Sequence, residues 1–276
     1  MKRYLLCTDL DRTLIPNGTQ PESPMAMERF KRLVGRKEIT LTYVSGRHLA
    51  FVEQAIADFE LPQPDFVIAD VGSTIYRANS SGWQQWGEWE AIIAPDWMGL
   101  SHGGICCLLG NFPGLQLQEK EKQNRYKLSF YVPLEEGTQE LISEIDAKLK
   151  YTNIKANLIW SIDEKAGLGL LDILPASAGK RNAIRFLMQQ EGFRHENTVF
   201  AGDSGNDLDV LLSDIPAVLV ANAGAEIRSM VSNANKGALY VAWGGYLGMN
   251  GNYSAGILEG AAHFWPEADA WLREMN

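Results

Sequence analysis

Cysteine is scarce in the sequence, and its distribution argues against two common kinds of site. The 276 residues contain three cysteines, Cys7, Cys106 and Cys107. The number is odd, two of them are adjacent and no Cys-x-x-Cys pair occurs, so neither a disulfide framework nor a zinc site is expected. Reduced thiols in a cytoplasmic protein are the simplest interpretation.

The sequence also lacks an excess of basic residues and any long apolar run. The formal net charge of -9 argues against a nucleic-acid-binding face, although a few local cations are enough to hold one phosphate. No apolar run approaches the length of a membrane span, and the apolar stretch in MKRYLLCTDLD is too short for a signal peptide. We therefore expect neither a nucleic acid nor a membrane as a partner.

Strand-like and helix-like segments alternate at both ends of the chain. The hydrophobic content of 46% and the charged content of 21% fit a globular protein with a sizeable core. Short apolar runs, such as YLLCTDL and EITLTYVSG, are each followed by apolar residues at helical spacing, as with Met27, Phe30 and Leu33. This alternation predicts an α/β fold, a parallel sheet with crossover helices.

The pattern changes in the middle of the chain. RYKLSFYVPL alternates like an antiparallel strand, and EEGTQELISEIDAKLKY has the spacing of an amphipathic helix. We predict an inserted α+β domain at 81–167, between core segments at 1–80 and 168–276. Several tryptophans near its start could form a stacking platform for a ligand, but internal packing is the favoured interpretation for them. They are Trp83, Trp86, Trp89 and Trp97.

Polar residues follow four of the predicted core elements. Because ligands bind beyond the carboxyl ends of parallel strands, we expect these residues to meet in one crevice. The clusters are Asp9, Asp11 and Thr13; Ser45, Gly46 and Arg47; Lys180; and Asp203, Asn206 and Asp207. Their convergence is the main indication of a functional site.

Two of these clusters supply oxygen ligands for a divalent cation. The Asp9 carboxylate and the Asp11 backbone carbonyl can reach one metal ion, and Asp203 can complete the set with the support of its loop. Mg²⁺ prefers such oxygen ligands. The alternative is that each acid begins a turn or caps a helix, and in GDSGND both interpretations can hold together.

The other two clusters suit a phosphate. Ser45 offers a hydroxyl and backbone N–H groups at a strand end, and Lys180 lies in a first helical turn, where a cation is unfavourable for the helix dipole. A helix-capping serine and a solvent-exposed lysine remain alternatives. Arg47 fits a solvated surface position equally well.

Taken together, DLDRT, VSGR, GK and AGDSGND resemble the four motifs of the haloacid dehalogenase (HAD) superfamily of phosphatases. DFVIADVGSTIY, RYKLSFY, DILPASAGKRNAIRFL and SAGILEGAAHF are similar to segments of the sucrose-phosphate phosphatases and their bacterial relatives. The resemblance covers most of the chain. It implies a Rossmann-like core with an inserted cap of the C2B type.

The resemblance also implies a role for each motif residue. Asp9 would be the nucleophile and Asp11 the general acid and base, while Ser45 and Lys180 would bind the transferring phosphoryl group. Mg²⁺ would be held by Asp9, Asp11, Asp203 and Asp207. Substrate contacts would come from Thr13, Gly46, Arg47, Lys127, Ser129 and Asn206, of which Lys127 and Ser129 form a Lys-x-Ser element in the cap. Arg12 stands where relatives often carry a smaller or amide residue.

The implied activity is that of a cytoplasmic, Mg²⁺-dependent phosphatase acting through an aspartyl-phosphate. A small-molecule sugar phosphate is the expected partner, and sucrose 6-phosphate is the leading substrate. Phosphates of mannosylfructose, glucosylglycerol and trehalose remain alternatives, because the hydroxyl contacts that discriminate them cannot be read from one sequence. A phosphomutase, a nucleotide phosphatase and a non-catalytic sugar-phosphate-binding protein are the other functions considered.

Overall fold

Two β-sheets organise the chain, one large and mainly parallel, the other small and antiparallel. The computed structural model describes residues 2–110, 112–134, 137–163, 166–233 and 237–274. The predicted α/β class with an inserted α+β unit is confirmed by this architecture.

Within the described residues, the large sheet has eight strands. They are β1 (Tyr4–Thr8), β2 (Ile39–Val44), β3 (Phe66–Ala69), β4 (Thr74–Asn79), β5 (Gly82–Gln85), β10 (Thr198–Gly202), β11 (Ala217–Leu219) and β12 (Leu239–Val241). Their order in the sheet is β12-β11-β10-β1-β2-β3-β4-β5. Neighbours from β12 to β3 are parallel, and β4 and β5 are added as antiparallel strands. Every residue of β1 and β2 is buried, as expected for central strands covered on both faces.

Helices cover the large sheet on both faces and connect its parallel strands. They are α1 (Ala26–Val34), α2 (Leu49–Asp58), α3 (Gly87–Ile93), α6 (Lys180–Glu191), α7 (Leu208–Leu211), α8 (Ala225–Met230), α9 (Ser254–Phe264) and α10 (Pro266–Glu274). Two apolar clusters of buried residues lie on opposite faces of the sheet. Alternate residues of β1 divide between them, with Leu5 in one cluster and Leu6 in the other.

The second sheet forms a cap over the carboxyl edge of the large one. Its strands are β6 (Gln116–Leu117), β7 (Leu128–Pro133), β8 (Ala156–Asp163) and β9 (Leu168–Pro175), in the order β6-β7-β9-β8. We use the word cap for this sheet together with α4 (His102–Leu109) and α5 (Thr138–Tyr151). The cap helices and the sheet share a buried core that includes Ile105, Leu128 and Ile145.

The pairing of strands shifts both predicted boundaries of the insertion. β5, placed in the insertion by the sequence, forms a hairpin with β4 and so extends the large sheet. β9, placed in the second core segment, pairs with β7 and β8 in the middle of the cap sheet. Both shifts follow from hydrogen bonds to neighbouring strands, which the order of elements along the chain does not reveal.

The tryptophan cluster packs internally, as the favoured interpretation predicted. Trp89 and Trp97 are buried. Trp86 stacks on Phe66 and meets the edge of Phe186, a residue of α6. These rings therefore join α3 to the core instead of facing a ligand.

One apolar stretch is longer than the sequence analysis expected, since no run was predicted to approach the length of a membrane span. Residues 87–109 have the length and composition of a membrane-crossing helix, with a mean hydropathy of 1.2. The helix is interrupted, because α3 ends at Ile93, a 3₁₀ turn covers Ala94–Trp97, and Met98 takes a left-handed conformation. The segment is therefore two short helices separated by a break.

Candidate active site

Three neighbouring strands bring the predicted motif residues together. β1 lies between β10 and β2, so Asp9 at the end of β1 is flanked by Asp203 after β10 and Ser45 after β2. All three residues are buried. The sheet order therefore creates the crevice predicted from the sequence, with the Asp9 carboxylate at its centre.

Lys180 provides the central positive charge of this crevice. Its side chain is fully buried, and its Nζ donates to Asp9 Oδ1 at 2.9 Å, Asp207 Oδ1 at 2.6 Å and Asn206 Oδ1 at 2.8 Å. Burial disfavours the ammonium, but the charges of Asp207 and Asp9 outweigh it and raise the pKa of Lys180. The interpretation of Lys180 as a surface residue is therefore wrong.

The start of α6 is held in place by close backbone packing. Asp209 Oδ2 accepts from the N–H of Arg181 at 3.1 Å. Gly72 has a φ of 90°, and a Cβ there would lie 2.3 Å from the carbonyl carbon of Gly179. Only glycine permits this contact, which fixes the residue before Lys180 against the loop after β3.

Asp9, Asp203 and Asp207 form a compact acidic group whose carboxylate oxygens lie within 4.8 Å of one another. Burial, reinforced by the charge of Asp207, raises the pKa of Asp203 to about 7. Burial also raises the pKa of Asp9, against the opposing charge of Lys180. Asp203 Oδ2 is buried and has no hydrogen bond within the described part of the chain, as suits an oxygen ligand of a divalent cation. The donor set fits Mg²⁺.

Asp207 is occupied by protein contacts. Its Oδ1 accepts from Lys180, and its Oδ2 accepts from the backbone N–H groups of Asp203 and Ser204, both at 3.0 Å. This carboxylate therefore orders the loop that carries Asp203 and anchors Lys180. Direct metal ligation by Asp207 would have to displace one of these contacts.

Thr13 and Asn206 point at protein atoms rather than into open space. The Thr13 hydroxyl donates to Asp203 Oδ1 at 2.9 Å. Asn206 Oδ1 accepts from Lys180 and from the hydroxyl of Ser204. Both are predicted substrate contacts, and in the structure both form hydrogen bonds with residues around Asp9.

Asp11 lies outside the acidic group and is paired with Arg47. The guanidinium binds both carboxylate oxygens, at 2.7 Å and 2.6 Å, and Asn17 Nδ2 donates to Oδ1 at 2.8 Å. Burial opposes ionisation of Asp11, but the hydrogen bonds and charge of Arg47 outweigh it and lower the pKa of Asp11. Arg47, predicted to bind substrate, thus holds the predicted acid in its ionised form.

The loop after β2 connects the core to the cap. The Ser45 hydroxyl accepts from the N–H of Arg47 at 3.2 Å. The carbonyl of Gly46 accepts from Lys127 Nζ, a cap side chain, at 3.1 Å. Lys127 is therefore positioned beside the loop that carries Ser45.

Two buried acids near this junction were missed by the sequence analysis. Asp172, on β9, accepts a hydrogen bond from the Ser129 hydroxyl, and Asp70 lies in the turn after β3. Asp70 and Val71 both have positive φ, a strained conformation that often marks functional loops. In the sequence, Asp172 is the acid of DILP and Asp70 is the acid of DVG. Their proximity to the site follows from the pairing of strands in the fold and cannot be read from the sequence.

Arg12 borders a cavity between the core and the cap. Its Nε lies 3.5 Å from Asp203 Oδ2, and its carbonyl accepts from Asn222 Nδ2 at 2.6 Å. The lining of the cavity also includes Trp160, Ser161 and Ile162 of β8. Arg12 therefore adds positive charge beside the acidic group, on the side away from Arg47.

Comparison with known proteins agrees with this geometry. The family model of sucrose-6F-phosphate phosphohydrolase matches residues 2–265. A protein of Nitrosococcus oceani described as a HAD-like hydrolase is 50% identical over 275 residues, which cover 98% of this chain and 74% of that protein. Sucrose-phosphatase 1 of Nicotiana tabacum is 28% identical over 269 residues, which cover 95% of this chain and 59% of the tobacco protein.

A solved structure has a similar fold over almost the whole chain. The sucrose-phosphatase of Synechocystis, determined with sucrose and phosphate, has a TM-score of 0.79 and 27% identity, over 96% of this chain and 98% of that one. The chain described here belongs to the sucrose-6F-phosphate phosphohydrolase family, a family of sugar-phosphate phosphatases within the HAD superfamily.

Proposed function

We propose that the chain is a Mg²⁺-dependent phosphatase of sucrose 6-phosphate that works through an aspartyl-phosphate on Asp9. The observation that carries the proposal is the contact of Asp9 with Lys180 beside a second buried acid, Asp203. A carboxylate that attacks phosphorus needs cations nearby, because the phosphoryl group brings further negative charge. Family membership supports a sugar as the leaving group.

Each residue around Asp9 would have a separate role in phosphoryl transfer. Asp9 would attack phosphorus, and Lys180 and Ser45 would bind the equatorial phosphoryl oxygens. Asp9 and Asp203 would hold Mg²⁺ together with the Asp11 carbonyl, while Asp207 fixes the loop. The ion would neutralise charge on the phosphoryl group when bound.

Proton transfer falls to Asp11. It would donate a proton to the departing sugar oxygen and then accept one from the water that hydrolyses the aspartyl-phosphate. Since Arg47 binds both oxygens of Asp11, this pair would have to open when the substrate enters. The substrate phosphate is an anion that can draw the guanidinium away.

The cap would exclude water and contact the sugar. Lys127 reaches the core loop at Gly46, and β8 packs against the turn at Gly205, so the cap already meets the core at two places. A closed cap keeps water from the aspartyl-phosphate until the sugar leaves.

The test is a phosphate-release assay over disaccharide phosphates, monosaccharide phosphates and nucleotides, with and without Mg²⁺. Sucrose 6-phosphate should be hydrolysed with the highest kcat/KM, and Asp9→Asn should reduce turnover by at least about 10³-fold while the fold stays intact. Asp214→Asn, a change at an exposed acid, is the matched control. Full activity of Asp9→Asn would refute the nucleophile assignment, and a preference for nucleotides or mannosylfructose phosphate would refute the substrate.

A further inference from the structure

One face of the cap sheet is apolar and the other carries charge. Leu128, Phe130, Leu171 and Ile173 are buried in the apolar core of the cap. Side chains alternate between the faces of a strand, so the neighbours of these residues on β7 and β9 lie on the opposite face. That face includes Ser129 and Asp172, which are directly paired in the sheet register, and Lys127 just before β7. It is the face turned toward the core, because Lys127 contacts Gly46.

Asp172 is the centre of this charged cluster. Its Oδ1 accepts from the Ser129 hydroxyl and lies 3.8 Å from Lys127 Nζ. Its Oδ2 accepts no hydrogen bond from the residues that the structure describes. Asp172 is only 9% exposed as a residue, so its second carboxylate oxygen lies near the crevice with an unused capacity to accept a hydrogen bond.

A second buried carboxylate in the same chain shows what a purely structural role looks like. Glu259 is 4% exposed, and both of its oxygens are engaged. Oε1 accepts from the Tyr240 hydroxyl and the Trp243 N–H, and Oε2 accepts from the Gly244 N–H. Burial of a charge is costly unless it is hydrogen-bonded. Glu259 accepts hydrogen bonds at both carboxylate oxygens, whereas Asp172 accepts one at only one of its two oxygens within the described residues.

We propose that Asp172 is a specificity-determining residue that accepts a hydrogen bond from a hydroxyl of the substrate's sugar. Lys127 would donate a hydrogen bond to the hydroxyl on the adjacent carbon. A hydroxyl both donates and accepts, so a carboxylate beside an ammonium complements two hydroxyls on adjacent carbons. This role of Asp172 rests on the proposed function. The group that the cap would recognise is a vicinal diol on the leaving group. Ser129 keeps the carboxylate oriented for this contact.

Substitution of Asp172 should change the selectivity of the protein for its phosphate substrates. We compare sucrose 6-phosphate with p-nitrophenyl phosphate, whose leaving group has no diol. In Asp172→Asn the ratio of kcat/KM for the sugar to kcat/KM for the aryl phosphate should fall about tenfold or more, because a site built to bind a hydroxyl loses that contact. Most of the fall should appear in KM for the sugar phosphate.

Controls separate this role from a structural one. Lys127→Gln should lower the same ratio, and the double variant should lose less than the product of the two single losses, since the pair acts on one sugar. Asp146→Asn, at a partly exposed acid on α5, is the control for charge removal from the cap. Circular dichroism and thermal melting report folding, and turnover of the aryl phosphate reports an intact core.

The outcomes distinguish this inference from the proposed function. A wild-type preference for another sugar phosphate refutes sucrose 6-phosphate, and the ratio is then measured with the preferred sugar. A ratio that is unchanged in Asp172→Asn, whether kcat/KM stays constant for both substrates or falls equally for both, refutes the specificity role. Wild-type protein that turns over the aryl phosphate but no sugar phosphate refutes both.

Discussion

Arg47 binds Asp11 through two parallel hydrogen bonds, Nε to Oδ2 at 2.7 Å and Nη2 to Oδ1 at 2.6 Å. A bidentate pair of this kind favours the carboxylate form of the acid. Asp11 is the group assigned to protonate the leaving sugar, for which it must carry a proton. Its pairing with Arg47 favours the form without that proton. The release of Arg47 therefore links substrate binding to the supply of the proton.

This link predicts the behaviour of Arg47→Gln. Removing the guanidinium removes the contacts that lower the pKa of Asp11, so the acid keeps its proton to a higher pH. The alkaline limb of the kcat/KM profile for a sugar phosphate, which reports the free protein in which Arg47 is still paired with Asp11, should move to higher pH. The limb should stay in place for p-nitrophenyl phosphate, whose leaving group departs without a proton.

The matched control is Arg32→Gln, which removes an exposed arginine paired with Glu28 on α1. Its profile should coincide with that of the unaltered protein. An alkaline limb that stays fixed in Arg47→Gln with the sugar phosphate would show that Asp11 does not supply the proton.

Asp203 predicts a pH dependence of metal binding. Its pKa of about 7 in the fold lies above the ordinary value of 3.8, so the folded chain holds a proton there that the unfolded chain has lost. In the absence of Mg²⁺, the contribution of Asp203 to the free energy of unfolding should fall as pH rises through this range. Mg²⁺ must displace that proton, so its apparent affinity should rise up to about pH 7 and then level off.

Thermal unfolding with and without MgCl₂, at a series of pH values, measures both effects. Thr13→Val removes a hydrogen bond that lowers the pKa of Asp203, so the rise in Mg²⁺ affinity should shift to higher pH. A Mg²⁺ stabilisation that is independent of pH between about 5 and 8 would contradict the assignment of Asp203 as a ligand.

Lys180 predicts a loss of stability as well as of activity. Lys180→Met keeps a long apolar side chain but leaves the buried Asp9 and Asp207 without their cation. Breaking such a pair from one side costs about 3–5 kcal/mol. Urea unfolding should show this loss, and the loss should shrink at acid pH as Asp9, whose pKa is raised by burial, becomes protonated. Lys150→Met, at an exposed lysine, should change the free energy of unfolding by less than about 0.5 kcal/mol.

The sequence was informative where chain order determines geometry. Parallel strands place their following residues at one edge, so the meeting of Asp9, Ser45 and Asp203 could be predicted. The mutual contacts of side chains could not. The assignment of Arg47 to substrate stays a prediction. Its pairing with Asp11 was not predicted, because nothing in a linear motif fixes which way a long side chain turns.

The same limit explains the cap. Lys127 and Ser129 were found through their resemblance to a family element, and Asp172 was not, although it lies opposite Ser129 in the sheet. Those two residues are 43 positions apart, and their pairing depends on β9 lying between β7 and β8. Sheet order beyond adjacent strands is a property of the packed fold.

The packing of α9 gives a prediction far from the chemistry. Gly256 and Gly260 lie one helical turn apart, and a Cβ on Gly260 would lie 2.1 Å from Val218 Cγ2 on β11. Gly260→Ala must therefore push the helix from the sheet, which should destabilise the fold by about 1–3 kcal/mol. Gly87→Ala is the control, since a Cβ there meets nothing within 4 Å. Urea midpoints of the two variants should separate, and coincident midpoints would show that α9 does not pack this closely against the sheet.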